Sequence, residues 1–181
     1  MTKENKILAA VSVAAGLIVL MLKYFYFEKD IFESIYWSIA FTAIIPIAVK
    51  DYKEHIIPNK YLLWVIRAGA LVLVMQLFVY NEYIVSILGD KLIGLLAGGG
   101  IFLVAMLISP SGIGAGDVKL YGTLGILLGF KAVFNVIFFA LVCGAVCSIA
   151  LLISKKKTKK DELPMAPYTV FGLMVALLTG I

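Results

Sequence analysis

Two aspartates stand where long apolar runs meet short polar loops. Asp51 closes one run, and Asp117 opens another after Gly112, Gly114 and Gly116. An ionisable side chain this close to the hydrocarbon core is costly to hold there and marks a functional position by default. Two carboxylates that share a site do not both ionise easily. The ionised member takes a proton from water, and the neutral member donates one to a carbonyl oxygen. Water then attacks a peptide bond without a covalent intermediate. Such a pair titrates as a unit, so neither aspartate is assigned as base or acid.

The neighbours of each aspartate suit such a site. Pro58 and Asn59 follow Asp51. Pro58 lacks an amide proton and drives Ile57 towards an extended conformation. Asn59 is expected to N-cap the following helix. The pair reads as a loop stop and a helix start that fix Asp51 over that helix. Before Asp117, Gly114 and Gly116 let another backbone, or a substrate chain, approach closely, and they are expected to supply positive φ at the helix entry. A carboxylate there lies near a helix N-terminus, where the dipole favours its charged form. Lys119, two residues on, has two readings: an ammonium that favours a charged Asp117, or an interfacial lysine that snorkels to the headgroups.

These residues must be positioned by membrane helices. Of 181 residues, 62% are hydrophobic and 15% charged. Soluble domains hold about 45–50% apolar and about 25% charged residues, so the bilayer must serve as solvent for this chain. About 20 apolar residues span a bilayer as a helix. Candidate spans lie at 7–27, 31–50, 60–80, 84–109, 131–153 and 164–181, with a shorter apolar stretch at 118–130. The expected fold is all-α, a single polytopic membrane bundle of about six to seven transmembrane helices over residues 1–181. The first run is too long for a cleavable signal peptide, and no small-residue cleavage site precedes a polar domain.

Lysines set the orientation. Lys3, Lys6, Lys50, Lys53, Lys60 and the tract Lys155, Lys156, Lys157, Lys159 and Lys160 fall on one side if the short stretch also crosses. That side is expected to be cytoplasmic, and it carries both aspartates. Lys29, Lys91 and Lys131 fall on the other. The net charge of +5 is explained by this loop bias, and no nucleic-acid partner is implied. The lysine tract reads first as a topology signal and second as a contact for anionic membrane lipids.

Other polar residues carry blander readings. Cys143 and Cys147, four apart in an apolar run, read as small packing residues, not a disulfide or a metal knuckle. His55, the one histidine, and Glu54 read as solvated loop residues; no cofactor or metal is implied. Arg67 and Asp90 read as structural or interfacial. Gly94 and Gly98 form a small-xxx-small face for close helix packing. Pro164 and Pro167 mark an irregular entry to the last helix. Nothing in the sequence sets an oligomeric state.

The segments DYKEHIIPNKYL, GIGAGDVKLYGTLGILLG and LPMAPYTVFG resemble three signature regions of the type IV prepilin peptidases, a family that includes archaeal preflagellin peptidases. The resemblance covers about residues 35–181, with 1–30 as an extra N-terminal span, and Gly94, Gly98, Gly99 and Gly100 fit the family's glycine-rich helix. It implies cleavage of short, basic leaders from prepilin-like or preflagellin-like precursors on the cytoplasmic face. It also implies that Asp51 and Asp117 are the catalytic pair, and that the Pro164–Pro167 segment borders the site. Larger members carry paired CxxC motifs in a cytoplasmic loop and N-methylate the mature pilin. This sequence has no CxxC and reads as a peptidase only.

Two other classes are weighed against this one. A small transporter or proton-conducting subunit would want carboxylates near the bilayer midplane, usually within an inverted repeat. A presenilin-like or signal-peptide-peptidase-like protease would carry YD and PAL motifs, where this chain has VKD and PMAP.

Overall fold

The computed structural model describes residues 3–108, 114–154 and 164–180. The described residues are almost all helical and include no strand. It runs through α1 (Lys3–Met21), a π-helical turn (Leu22–Tyr26), α2 (Ile31–Glu54), α3 (Asn59–Val79), a short 3-10 turn (Asn81–Tyr83), α4 (Ile84–Ile108), α5 (Ala115–Leu128), α6 (Phe130–Ile153) and α7 (Ala166–Leu178). In a bilayer only helices and closed barrels satisfy every backbone amide and carbonyl, so a helical bundle is what this composition demands. Among the described residues, five helical segments are long and apolar enough to cross a membrane; α5, at 14 residues, and α7, at 13, are shorter. Gly112 and the lysine tract 155–160 lie outside the described residues.

The bundle is built around α2. Tyr36, Trp37, Ala40, Phe41, Ile44, Ile47 and Ala48 make it the most buried of the long helices, and α1, α3, α5 and α7 pack on it. The surrounding helices turn large apolar side chains outward, such as Val85, Phe78 and Leu107, as a lipid-facing surface requires. The N-terminal helix docks through Gly16, which lies against Ser38 and Thr42 of α2. At its end Lys23 is fully buried, 2.9 Å from Glu33 and over the Trp37 ring.

The closest packing is between α4 and α5. A Cβ on Gly94 or Gly125 would run into the other residue's carbonyl, and one on Gly98 into the Tyr121 carbonyl. Gly99 faces Gly122. Small residues permit such backbone contact, and in lipid this close van der Waals packing drives helix association.

Polar contacts collect at the two ends of the bundle. At one end Asp30 accepts from Phe32 N–H at the start of α2 and from the Tyr80 hydroxyl after α3. Lys91 of α4 donates to the Leu127 carbonyl at the close of α5, 2.6 Å away, and lies over the Tyr36 ring. A cation suits the negative end of that helix. Asp90 accepts from Phe130 N–H at the start of α6. Between α5 and α6 stands a single residue, Gly129, with φ 85°, a conformation that side-chain-bearing residues avoid. At about 1.5 Å per residue, α5 is about 21 Å long, yet it reaches Lys91 at this end and Asn59 at the other.

Candidate active site

The opposite end gathers the C-terminus of α2 and the N-termini of α3, α5 and α7. The second apolar run was expected to stop at residue 50, but α2 continues to Glu54. Asp51 therefore sits in its last turn and is buried. The helix closes on His55, which adopts the left-handed conformation (φ 52°, ψ 35°) and donates its N–H to the Asp51 carbonyl at 2.9 Å. Histidine is one of the residues enriched in this rare region, so His55 serves as a helix stop.

The Asp51 side chain reaches another helix. Its Oδ2 accepts from the Ala166 N–H, the first amide of α7, at 2.9 Å. The first amides of a helix have no partner within it, and the dipole there favours negative charge. Met165, in the cap position, makes no side-chain cap, and Pro167 has no N–H to offer. The Asp51 carboxylate thus caps α7 from outside. Pro164 is buried beside this turn and Pro167 half-buried.

Asp117 lies in the first turn of α5, half-buried. Its Oδ2 accepts from the Gly114 N–H at 3.2 Å, and its own N–H donates to the Gly114 carbonyl at 3.0 Å. This reciprocal closure fixes the carboxylate against the helix entry.

The described glycines act differently from expectation. Gly114 has φ −78°, and Gly116 is inside the helix; neither has positive φ. Gly116 instead provides close approach, since a Cβ there would sit 3.1 Å from the Ile57 Cβ. Ile57 precedes Pro58, so the loop after Asp51 packs directly onto the helix that carries Asp117. The cap position of α3 is Pro58, and Asn59 is the first helical residue with no side-chain cap. The Asn59 amide oxygen instead accepts from Lys119 Nζ at 3.4 Å in an exposed contact. Neither expected role of Lys119 includes this bond. An exposed hydrogen bond of that length contributes little; Lys119→Met is expected to change stability by less than about 1 kcal/mol, measured as the thermal midpoint in detergent.

One turn inward lies a layer that sequence reading missed. The Tyr121 hydroxyl is 2.8 Å from Thr169 Oγ1, both residues fully buried, and the Tyr121 ring stacks on Phe102 at 4.0 Å between centroids. A tyrosine inside an apolar run must find a partner for its hydroxyl, and that was the available signal. Of the other polar residues singled out, Asp90 is at the far end of the bundle, and Arg67 is on the exposed face of α3.

The sequence profile of the type IV leader peptidase family matches residues 38–149, a stretch that contains both aspartates. The chain belongs to the type IV leader peptidase family. This family member is similar to the prepilin leader peptidase/N-methyltransferase of Bacillus subtilis (strain 168), with 31% identity over 140 residues, 76% of this chain and 52% of that protein. It is similar to proteins of the same name from Aeromonas hydrophila, with 29% identity over 72% of this chain and 44% of that protein, and from Aeromonas salmonicida (strain A449), with 33% identity over 51% of this chain and 34% of that protein. The chain therefore spans about half or less of the length of these relatives. No solved structure matches it. Family membership and the apolar helices make the chain a multi-pass membrane protein.

Proposed function

We propose that this protein is an aspartyl endopeptidase in which Asp51 and Asp117 activate water to remove the short basic leader from type IV pilin-like or archaellin-like precursors. The observation that carries the proposal is the convergence of two distant carboxylates at one end of the bundle, each fixed through Oδ2 by a backbone amide, Ala166 N–H for Asp51 and Gly114 N–H for Asp117. A carboxylate anchored through one oxygen keeps its orientation and can still offer the other to water or to a substrate carbonyl. One aspartate takes the proton from water as its oxygen attacks the scissile carbonyl carbon. The other donates to the carbonyl oxygen, giving a tetrahedral intermediate. Proton transfer to the leaving nitrogen then breaks the C–N bond. No covalent enzyme intermediate forms, and the dyad acts as a unit.

The relatives' name, prepilin leader peptidase/N-methyltransferase, supports the substrate class. Lys50, Lys53 and Lys60 lie at the aspartate end and Lys91 and Lys131 at the other, a bias that supports a cytoplasmic active site. The placement of both carboxylates at helix ends, away from the middle of a span, favours a peptidase over a proton or solute pathway.

The test is reconstitution. The purified protein in lipid nanodiscs, mixed with a pilin-like precursor, is expected to yield one cut just ahead of the hydrophobic helix, read by mass spectrometry of both products. An intact precursor beside a folded enzyme, together with proton conductance in proteoliposomes, would favour the transport reading instead.

A further inference from the structure

The two aspartates sit on helices that do not follow one another in the chain, so something must fix α5 relative to α2 at the level of the carboxylates. Asp51 is tied to the first amide of α7. Thr169 stands one turn further along α7, and Tyr121 one turn further along α5 from Asp117. Residues three or four apart share a helix face, so each of these side chains lies beneath its own half of the site. Their 2.8 Å hydrogen bond joins the two faces.

We infer that Tyr121 and Thr169 are positioning residues, a buried clasp that sets Asp117 against Asp51 by locking α5 to the helix Asp51 caps. This inference rests on the proposed dyad. The path is continuous: Asp51 carboxylate, Ala166 amide, one turn of α7, Thr169 hydroxyl, Tyr121 hydroxyl, one turn of α5, Asp117. The proton positions follow from donor count. Thr169 has one hydroxyl proton, and its Oγ1 donates to the Met165 carbonyl at 3.1 Å. The Tyr121 O–H is therefore the donor of the bond between them. The Tyr121 ring cannot swing aside, because it stacks on Phe102 of α4 at an interplanar angle of 7°.

Donor direction makes the two partners unequal. Tyr121→Phe removes the donor but orphans nothing, since Thr169 keeps Met165. Thr169→Val removes the acceptor and strands a buried phenol hydroxyl, which costs more than losing the bond. Thr169→Ser keeps both.

The experiment compares these three variants and Tyr121→Phe/Thr169→Val in precursor cleavage, reading kcat and KM separately, with thermal midpoint in detergent. Tyr121→Phe is expected to lower kcat about tenfold with KM and midpoint close to wild type. Thr169→Val is expected to lose more, Thr169→Ser to return to within a few-fold of wild type, and the double variant to be no worse than Thr169→Val. Wild-type kcat in Tyr121→Phe, or losses that simply track the fall in midpoint, would overturn the clasp. Asp51→Asn serves as the reference. If it is inactive while Tyr121→Phe is unimpaired, the clasp fails and the dyad stands; if Asp51→Asn is active, both fail.

Discussion

Asp51→Asn and Asp117→Asn are each expected to reduce precursor cleavage by on the order of 10³-fold, the scale of a lost general acid or base, while leaving the protein folded and membrane-inserted. The geometry separates chemistry from stability here. An asparagine side-chain oxygen can still accept from Ala166 N–H in place of Asp51, and from Gly114 N–H in place of Asp117. The helix entries stay satisfied, and only the capacity to exchange a proton is lost. The glutamate variants make a sharper comparison. They keep the proton but move it by about one methylene, and a displacement near 1 Å is enough to cost about 10²-fold. Cleavage by Asp51→Glu or Asp117→Glu is therefore expected to be weak yet above that of the asparagine variants. Gel-shift of a co-expressed precursor, with melting curves of each purified variant, checks both statements.

The second large effect is expected at the seam between α4 and α5. Gly125→Ala or Gly94→Ala places a Cβ against the partner helix's backbone carbonyl. A side chain in the way can rotate, but a helix backbone cannot, so the two helices must part. Overpacking of this kind costs about 1–3 kcal/mol, and more where nothing can yield. Because α5 carries Asp117, the same shift is expected to lower cleavage by about 10²-fold. The same helix contains its own control. Gly100 is on α4, and a methyl group there would meet nothing within 4 Å, so Gly100→Ala is expected to be neutral or stabilising by up to about 1 kcal/mol from helix propensity. Thermal midpoints of the three variants side by side would show whether the effect belongs to the contact or to any loss of glycine.

Much of the bundle was legible because lipid leaves the chain few options. Apolar runs bounded by lysines and prolines gave α1 to α4 and α6 within a few residues. The loop glycines and the Pro-Asn pair pointed to segments that share one end of the bundle, where Gly116 lies against Ile57. Details fixed by backbone groups were not legible. The donor to Asp51 is the amide of Ala166, and no side chain announces a free amide 115 positions away. Asn59 resembles an N-cap in every local respect, yet Lys119 claims its oxygen, a choice set by how α3 and α5 pack. The glycines before Asp117 suggested turn geometry, whereas Gly116 is small because Ile57 needs the room. The apolar run at 164–181 looked long enough to span, but α7 runs only from Ala166 to Leu178, with Pro164 before its start and Pro167 in its first turn. Tyr121 and Thr169 were hidden for a related reason. Their pairing depends on the rotation of two helices about their axes, which an almost uniformly apolar sequence does not encode in its pattern.

The central claim is that Asp51 and Asp117 act as one catalytic unit. Its most direct test is single-turnover cleavage, with enzyme in excess over precursor, by wild type, Asp51→Asn, Asp117→Asn and the double variant. Residues that work as a unit are strongly non-additive. The account predicts that either single substitution removes nearly all of the rate and that the double variant is no slower than the singles. Near wild-type cleavage in either single variant, or losses that multiply in the double, would contradict it.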